Sequence, residues 1–202
     1  MKEFSLKGTA RTEIGKKAAK TLRASGVIPC NLYGVEKDND GKAVAKSFSV
    51  NFEDVRKLIY TPDIFVVNLN IDGKECKAVM KELQFHPVKD SVLHIDFFQL
   101  TEGKPIVMAV PVAYEGHAAG VKAGGAFSSM VRSLKVKATY DKIPEKLTID
   151  ISNLEIGQSI IVGDLNFEGL ELVTPKQALV CSVKSTRNSQ AAANAAAAAS
   201  AS

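Results

Sequence analysis

The dipeptide Asp72–Gly73 lies between the two segments IFVVNLNI and KECKAVMKEL. Asp-Gly in this setting predicts a two-residue β-hairpin, because such a turn needs positive φ at both residues and matches the twist of the strands that it joins. The length of the turn also sets the register of the two strands. This dipeptide therefore constrains the segments on both sides to pair as antiparallel strands.

The rest of the first half combines further strand patterns with two helix patterns. EFSLKGTAR, VIPCNLYGV, AVAKSFSV and VLHIDFF are typical of strands, and Pro29 is expected to interrupt the second of them. IGKKAAKTLRASG predicts a helix that stops at Gly26, and NFEDVRKLIYTP predicts a second helix capped by Asn51. The polar run EKDNDGK predicts a loop. We expect a small β-rich domain with two helices over residues 1–98.

From about Gln99 the pattern changes to short strands at regular spacing. SLKVKATY, KLTIDIS, SIIVGDL, LELVT and ALVCSVK predict an all-β second domain over residues 99–185. Within it, HAAGVKAGGAF predicts a Gly/Ala loop in which Gly124–Gly125 is a flexible turn. The remaining residues, 186–202, are Ala-rich and predict a disordered tail. The fold class that we expect is mainly β, with a few helices.

Composition excludes several classes of function. The chain has no Trp, and 6% aromatic residues, which argues against a broad stacking platform for single-stranded nucleic acid. It contains no apolar run of the length that a membrane helix needs, and its N-terminus lacks the apolar core of a secretory signal. Three widely spaced cysteines without a CxxC pair predict reduced thiols in a cytosolic protein.

The positive charge is concentrated near the N-terminus. The net charge of the chain is only +4, but residues 1–30 carry seven basic and two acidic side chains. Lys16, Lys20 and Arg23 follow one another at helical spacing, and Arg11 precedes them by a short segment. Such a surface neutralises phosphates in many nucleic-acid-binding proteins, although a solvated helix face has the same pattern.

The segment ELQFHPVKDSVLHIDFFQL contains His86, His94 and Asp96. On a strand, His94 and Asp96 share one face while the apolar residues beside them face the other way. A dependable metal site has three or more protein ligands, and the chain has no GxSxG motif, Walker loop or dinucleotide-binding motif. The residues alone leave open a metal site, acid–base chemistry, a structural polar pair and direct contact with a partner.

Several longer motifs resemble a known family. RTEIGKKAAKTLRASGVIPCNLYG and DGKECKAVMKELQFHPVKDSVLHIDF resemble the two signatures of the bacterial large-subunit ribosomal protein twenty-five family. PVAYEGHAAGVKAGGAF and IPEKLTIDISNLEIGQSI are similar to the extra C-terminal β domain of its long two-domain form, also called general stress protein Ctc. The resemblance covers about residues 3–184, with departures at Lys17, Thr21 and Phe85.

The resemblance implies an N-terminal six-stranded β-barrel with short helices, related in fold to the anticodon-binding barrels of glutaminyl-tRNA synthetases. It also implies that this domain binds the loop E region of 5S rRNA, a recognition based on shape, phosphates and groove edges. The positions that match RNA-contacting residues of the family are Arg11, Lys16, Lys20, Arg23, Tyr33, Gln84, His86, His94 and Asp96.

We therefore expect a structural constituent of the large ribosomal subunit and not an enzyme. Its partners would be 5S rRNA and either neighbouring ribosomal proteins or large-subunit rRNA, and its location the cytoplasm, on the ribosome. We expect neither a cofactor nor a membrane contact. One alternative is a metal-dependent hydrolase centred on His86, His94 and Asp96. The other is a protein–protein β module whose basic helix is only solvated.

Overall fold

A computed structural model describes residues 2–34, 45–101, 103–187 and 189 of the chain. The predicted loop EKDNDGK and almost all of the predicted disordered tail, residues 186–202, lie outside these ranges. The chain divides into two compact units. One comprises Met1–Pro105 with Thr139–Asp141, and the other comprises Ile106–Ala138 with Lys142–Ser202.

The first unit is a closed six-stranded β-barrel with two helices. Its elements are β1 (Lys2–Ala10), α1 (Lys16–Ala24), β2 (Val27–Tyr33), β3 (Lys46–Asn51), α2 (Phe52–Tyr60), β4 (Phe65–Ile71), β5 (Lys74–Phe85) and β6 (Val92–Gln99). The strand order around the barrel is β1-β3-β2-β6-β5-β4. Two pairs, β1 with β4 and β2 with β6, are parallel, and the other pairs are antiparallel. Closure leaves the barrel without a free edge strand.

The barrel interior is filled by alternate residues of its strands. Phe48 and Phe97 meet at its centre with ring centroids 5.6 Å apart, and neither is exposed to solvent. Each such buried ring stabilises the fold by about 1.5–3 kcal/mol relative to an exposed one. Around them pack further buried side chains of the same core: Leu6, Ile28, Cys30, Val50, Leu69 and Ile95. Residues adjacent to these in sequence must therefore face outward.

The predicted hairpin forms as expected. Asp72 and Gly73 have φ of 48° and 86°, and they connect Ile71 of β4 to Lys74 of β5. The Gly73 N–H donates to Asn70 Oδ1 at 3.0 Å, which stabilises the turn. The turn sets the register of β4 and β5, and the register determines which of their side chains face the barrel interior.

Strand β2 differs from the sequence expectation. Pro29 does not interrupt β2, since the strand runs through it opposite Ser49 of β3. A proline has no N–H to donate, and the ladder with β6 begins at the next residue, where Cys30 faces Ile95. Strand β2 therefore accommodates Pro29 just before its pairing with β6 begins.

The second unit is a β structure of two sheets. Its elements are β7 (Pro105–Glu115), α3 (Ala119–Lys122), β8 (Ala126–Ser129), β9 (Ser133–Thr139), β10 (Leu147–Asp150), β11 (Ser159–Ile161), β12 (Glu171–Leu172) and β13 (Leu179–Lys184). One sheet has the order β10-β7-β9-β12, and the other has the order β11-β13-β8. The mainly β fold class, with its six-stranded barrel and second β domain, is confirmed.

The Gly/Ala segment of the second unit is more ordered than its sequence predicts. It contains the short helix α3, and the backbone of Gly125 lies against the Val183 side chain, which a Cβ atom would approach to 2.6 Å. At Gly120 a Cβ atom would lie 2.6 Å from the Ile156 nitrogen. These glycines thus permit close packing, whereas a flexible turn was expected at Gly124–Gly125.

All three cysteines carry free thiols, and Cys30 and Cys181 are buried. Burial raises the pKa of the Cys76 and Cys181 thiols above the ordinary value. Among the described residues, no helix is both long enough and apolar enough to cross a membrane.

We predict that Gly73→Ala lowers the free energy of unfolding by about 1–2 kcal/mol, because an L-residue is strained at this positive φ. A Cβ atom there meets nothing within 4 Å, so backbone strain is the whole cost. Urea unfolding measures the change. Gly73→Asn is the control and should lose less, since Asn tolerates the left-handed region. Equal stability of the Ala variant and the natural sequence would contradict the hairpin geometry.

Candidate nucleic-acid interface

The outer face of β6 carries the predicted histidine and aspartate. β6 lies between β5 and β2, so its outward side chains have neighbours on both sides. His94 lies opposite Gln84 of β5, and Asp96 lies opposite Glu82 of β5 and Asn31 of β2. The structure therefore brings three of the predicted residues, Gln84, His94 and Asp96, onto one polar face.

His94 and Asp96 also contact each other. The distance from His94 Nδ1 to Asp96 Oδ1 is 3.5 Å, and the two side chains are 20% and 19% exposed. This contact restrains the imidazole while leaving part of both side chains accessible. A polar pair held in this way is suited to hydrogen bonding with a partner that approaches the face.

His86 has a separate role in the turn between β5 and β6. Its Nδ1 accepts the backbone N–H groups of Val88 and Lys89, both at 3.2 Å. Its own backbone N–H donates to Ser91 O at 2.8 Å. One ring nitrogen is thus engaged within the protein. In the described ranges, no group of three or more His, Cys, Asp or Glu side chains is placed to hold a metal ion.

A β-bulge exposes a backbone acceptor beside His94. Gln84 pairs with His94 while Phe85 pairs with Val92, so Leu93 is the extra residue on β6. The Arg23 side chain reaches this position, and its Nε donates to Leu93 O at 2.9 Å. This hydrogen bond connects helix α1 to the strand that carries the histidine and aspartate.

Helix α1 has the two faces that its sequence predicts. Ala18, Ala19 and Leu22 are half-buried on the side that packs against β2, whereas Lys16 and Lys20 are exposed. The helix ends at Ala24 with Ser25 as its C-cap, and Gly26 follows with a φ of 78°, in the left-handed region that stops the helix. The basic side chains therefore project next to the β2–β6 surface.

Arg11 lies between β1 and α1. Its backbone N–H donates to Ser47 O at 3.0 Å, and its Nη2 donates to Glu13 O at 3.1 Å. Its Nε is buried without a hydrogen-bond partner in the described part of the chain. Arg11 lines a shallow cleft with Lys17 and Thr21 of α1. It is thus placed beside helix α1.

Tyr33 is the last residue of β2 and lies opposite Phe98 of β6. Its ring packs edge-on against Phe98, with centroids 5.8 Å apart. Burial raises the pKa of the Tyr33 hydroxyl, and the nearby carboxylates of Asp96 and Glu82 raise it further. The hydroxyl therefore stays protonated at neutral pH and is available as a hydrogen-bond donor.

Sequence reasoning missed three residues of this surface: Lys81, Glu82 and Asn31. Asn31 and Glu82 could have been found from alternation, since each faces Asp96 across a strand pair. Lys81 could not, because it lies at a second register shift in β5, between Met80 and Glu82. We call the outward side chains of α1, β2, β5 and β6 described above the α1–β6 surface.

We predict that His86→Ala lowers the free energy of unfolding by about 1 kcal/mol, because the turn loses the acceptor of two backbone N–H groups. Urea unfolding of the free protein is the measurement. His86→Asn is the matched control, since its amide oxygen can accept the same N–H groups. If Ala and Asn variants unfold at the same urea concentration as the natural protein, His86 does not hold the turn.

Two sequence families match this chain. The Ribosomal L25p family matches residues 6–97, and the family described as ribosomal protein TL5, C-terminal domain, matches residues 105–187. These ranges correspond to the barrel and to most of the second β unit.

Curated relatives are similar over nearly the whole chain. The large ribosomal subunit protein bL25 of Phocaeicola vulgatus is 54% identical over 193 residues, which is 96% of this chain and 98% of that protein. The bL25 protein of Porphyromonas gingivalis strain W83 is 54% identical over 194 residues, covering 96% and 98% of the two chains. That of Bacteroides thetaiotaomicron is 51% identical over 201 residues, covering 97% and 99%. The chain therefore belongs to the Ribosomal L25p family, in the long form that carries a TL5-type C-terminal domain.

Proposed function

We propose that this protein is a constituent of the large ribosomal subunit and that its barrel binds 5S rRNA at the loop E region. The relatives that align over nearly its whole length are named large ribosomal subunit proteins. Its place would be on the ribosome, in the cytoplasm. Membership of a ribosomal protein family makes it a structural component rather than an enzyme. The hydrolase interpretation is accordingly set aside.

The observation that carries the RNA proposal is the hydrogen bond from Arg23 to Leu93 O. It places a basic helix and a polar strand face side by side on one surface. The helix supplies cations for phosphates, and the strand face supplies donors and acceptors for a groove. Proteins that recognise irregular RNA helices need both, since phosphate contacts position the RNA and groove contacts distinguish it.

The predicted residues then take different roles. Arg11, Lys16, Lys20 and Arg23 would neutralise phosphates. Tyr33, Gln84, His94 and Asp96 would face the minor groove, where 2′-hydroxyls and base edges offer both donors and acceptors. His86 would act by holding the β5–β6 turn and by presenting its second ring nitrogen.

We also propose a division into a 5S rRNA-binding domain at residues 1–98, a second β domain at 99–185 and a tail at 186–202. The match to a separate C-terminal family beginning at residue 105 supports two domains. The second domain would contact other parts of the large subunit, either neighbouring ribosomal proteins or large-subunit rRNA.

The test is a binding titration of the full chain with 5S rRNA over a range of salt concentrations. We predict tight binding that weakens steeply as salt rises, because bound cations release counterions from the RNA. Arg23→Ala should weaken binding by about 1–3 kcal/mol. Arg23→Lys should lose part of this, since lysine keeps the charge but lacks the guanidinium geometry.

Arg56→Ala is the matched control, because Arg56 is exposed on α2, a helix that packs on β3 and β1. It should leave affinity nearly unchanged. Equal affinity for an unrelated hairpin RNA would contradict specific recognition of 5S rRNA and show only a general attraction of basic side chains to RNA. Absence of RNA binding would favour a protein–protein β module.

A further inference from the structure

Lys81 occupies an unusual position on β5. Met80 pairs with Phe97 and Glu82 pairs with Asp96, so Lys81 is an extra residue inserted into the strand. The bulge turns its exposed side chain toward β6 and β2. An inserted residue at such a place re-aims a side chain relative to regular alternation.

Two aromatic rings hold the Lys81 ammonium. Its Nζ lies 5.6 Å from the centre of the Tyr33 ring and 5.5 Å from the centre of the Phe98 ring. Both distances are within the range of cation–π attraction. The Phe98 ring is itself held closely, since a Cβ atom at Gly34 would approach it to 3.0 Å. The ammonium thus has two aromatic neighbours on this surface.

The charge of Lys81 is available to a ligand. The ion pairs found among residues 2–34, 45–101 and 103–187 do not include it. Aromatic faces contribute attraction without neutralising the cation. The ammonium lies on the same surface as the negatively charged Glu82 and Asp96. Without the lysine charge, these two carboxylates would repel an approaching phosphate backbone.

Lys81 and Arg23 lie at opposite ends of the polar face. Arg23 binds the backbone at Leu93, and Lys81 lies over Phe98 of the same strand. Five residues of extended strand span about 16 Å. His94 and Asp96 lie between these two cations. This arrangement suits an RNA minor groove, wide and shallow, with a phosphate backbone on each side.

We propose that Lys81 is a further RNA-contacting residue, whose ammonium, held over Tyr33 and Phe98, binds a backbone phosphate across the groove from Arg23. The inference rests on the proposed 5S rRNA binding and adds a second cationic contact to it. Tyr33 then has two roles, as a groove contact and as one wall of the lysine site. Phe98 is a positioning residue, since it acts through Lys81.

The test is the salt dependence of 5S rRNA binding by full-length variants. Lys81→Met keeps the apolar stem and removes the charge. We predict a several-fold higher Kd and a plot of log K against log salt whose slope is shallower by about one. Lys81→Arg should keep the slope. Lys7→Met is the control, because Lys7 is exposed on β1, which lies three strands from β6 in either direction around the barrel.

Phe98→Leu tests the positioning directly. It should raise the Kd in the natural background and raise it by a smaller factor in the Lys81→Met background, a coupling that independent sites do not give. Urea unfolding checks that each variant is folded. If the Lys81→Met variant binds 5S rRNA with the affinity and the salt slope of the natural protein, this inference alone is overturned. Failure of the natural protein to bind 5S rRNA would instead overturn the proposed function and this inference with it.

Discussion

The hydrogen bond between Arg23 Nε and Leu93 O is the interaction on which the α1–β6 surface depends. Helix α1 buries only a small apolar face against β2, so packing alone fixes its position weakly. The guanidinium bond connects the last turn of the helix to β6, the strand next to β2 in the barrel. The acceptor belongs to Leu93, the extra residue of β6 at the register shift with β5, and the bond satisfies this backbone carbonyl.

Much of the barrel could be predicted from local sequence. The hairpin at Asp72–Gly73 and the two helices follow from turn chemistry and periodicity, which act over a few residues. Asn51 stands at the start of α2 as predicted, but its side chain makes no capping hydrogen bond there. Barrel closure could not be predicted in this way. It depends on the parallel pairs β1 with β4 and β2 with β6, whose partners are far apart in sequence. That part of the prediction came from the family resemblance.

The site was predicted less completely than the fold, for a physical reason. Strand alternation places His94 and Asp96 on one face, but it assumes a regular strand. Bulges at Leu93 and Lys81 break that assumption, and each redirects a group that local patterns assign elsewhere. His86 illustrates a second limit of prediction from sequence. Its hydrogen bonds within the turn depend on three-dimensional geometry, and the spacing of the histidines does not predict them.

The α1–β6 surface is the side of the barrel that we propose meets RNA. The most direct measurement is an NMR titration of the labelled full chain with a 5S rRNA fragment containing loop E. Amide shifts should change in α1 and in the surface strands near Asn31 and Asp96. Amides near Asn68 and Asn70 of β4 should be almost unaffected. The largest changes on β1 and β4, with none on α1, would contradict it.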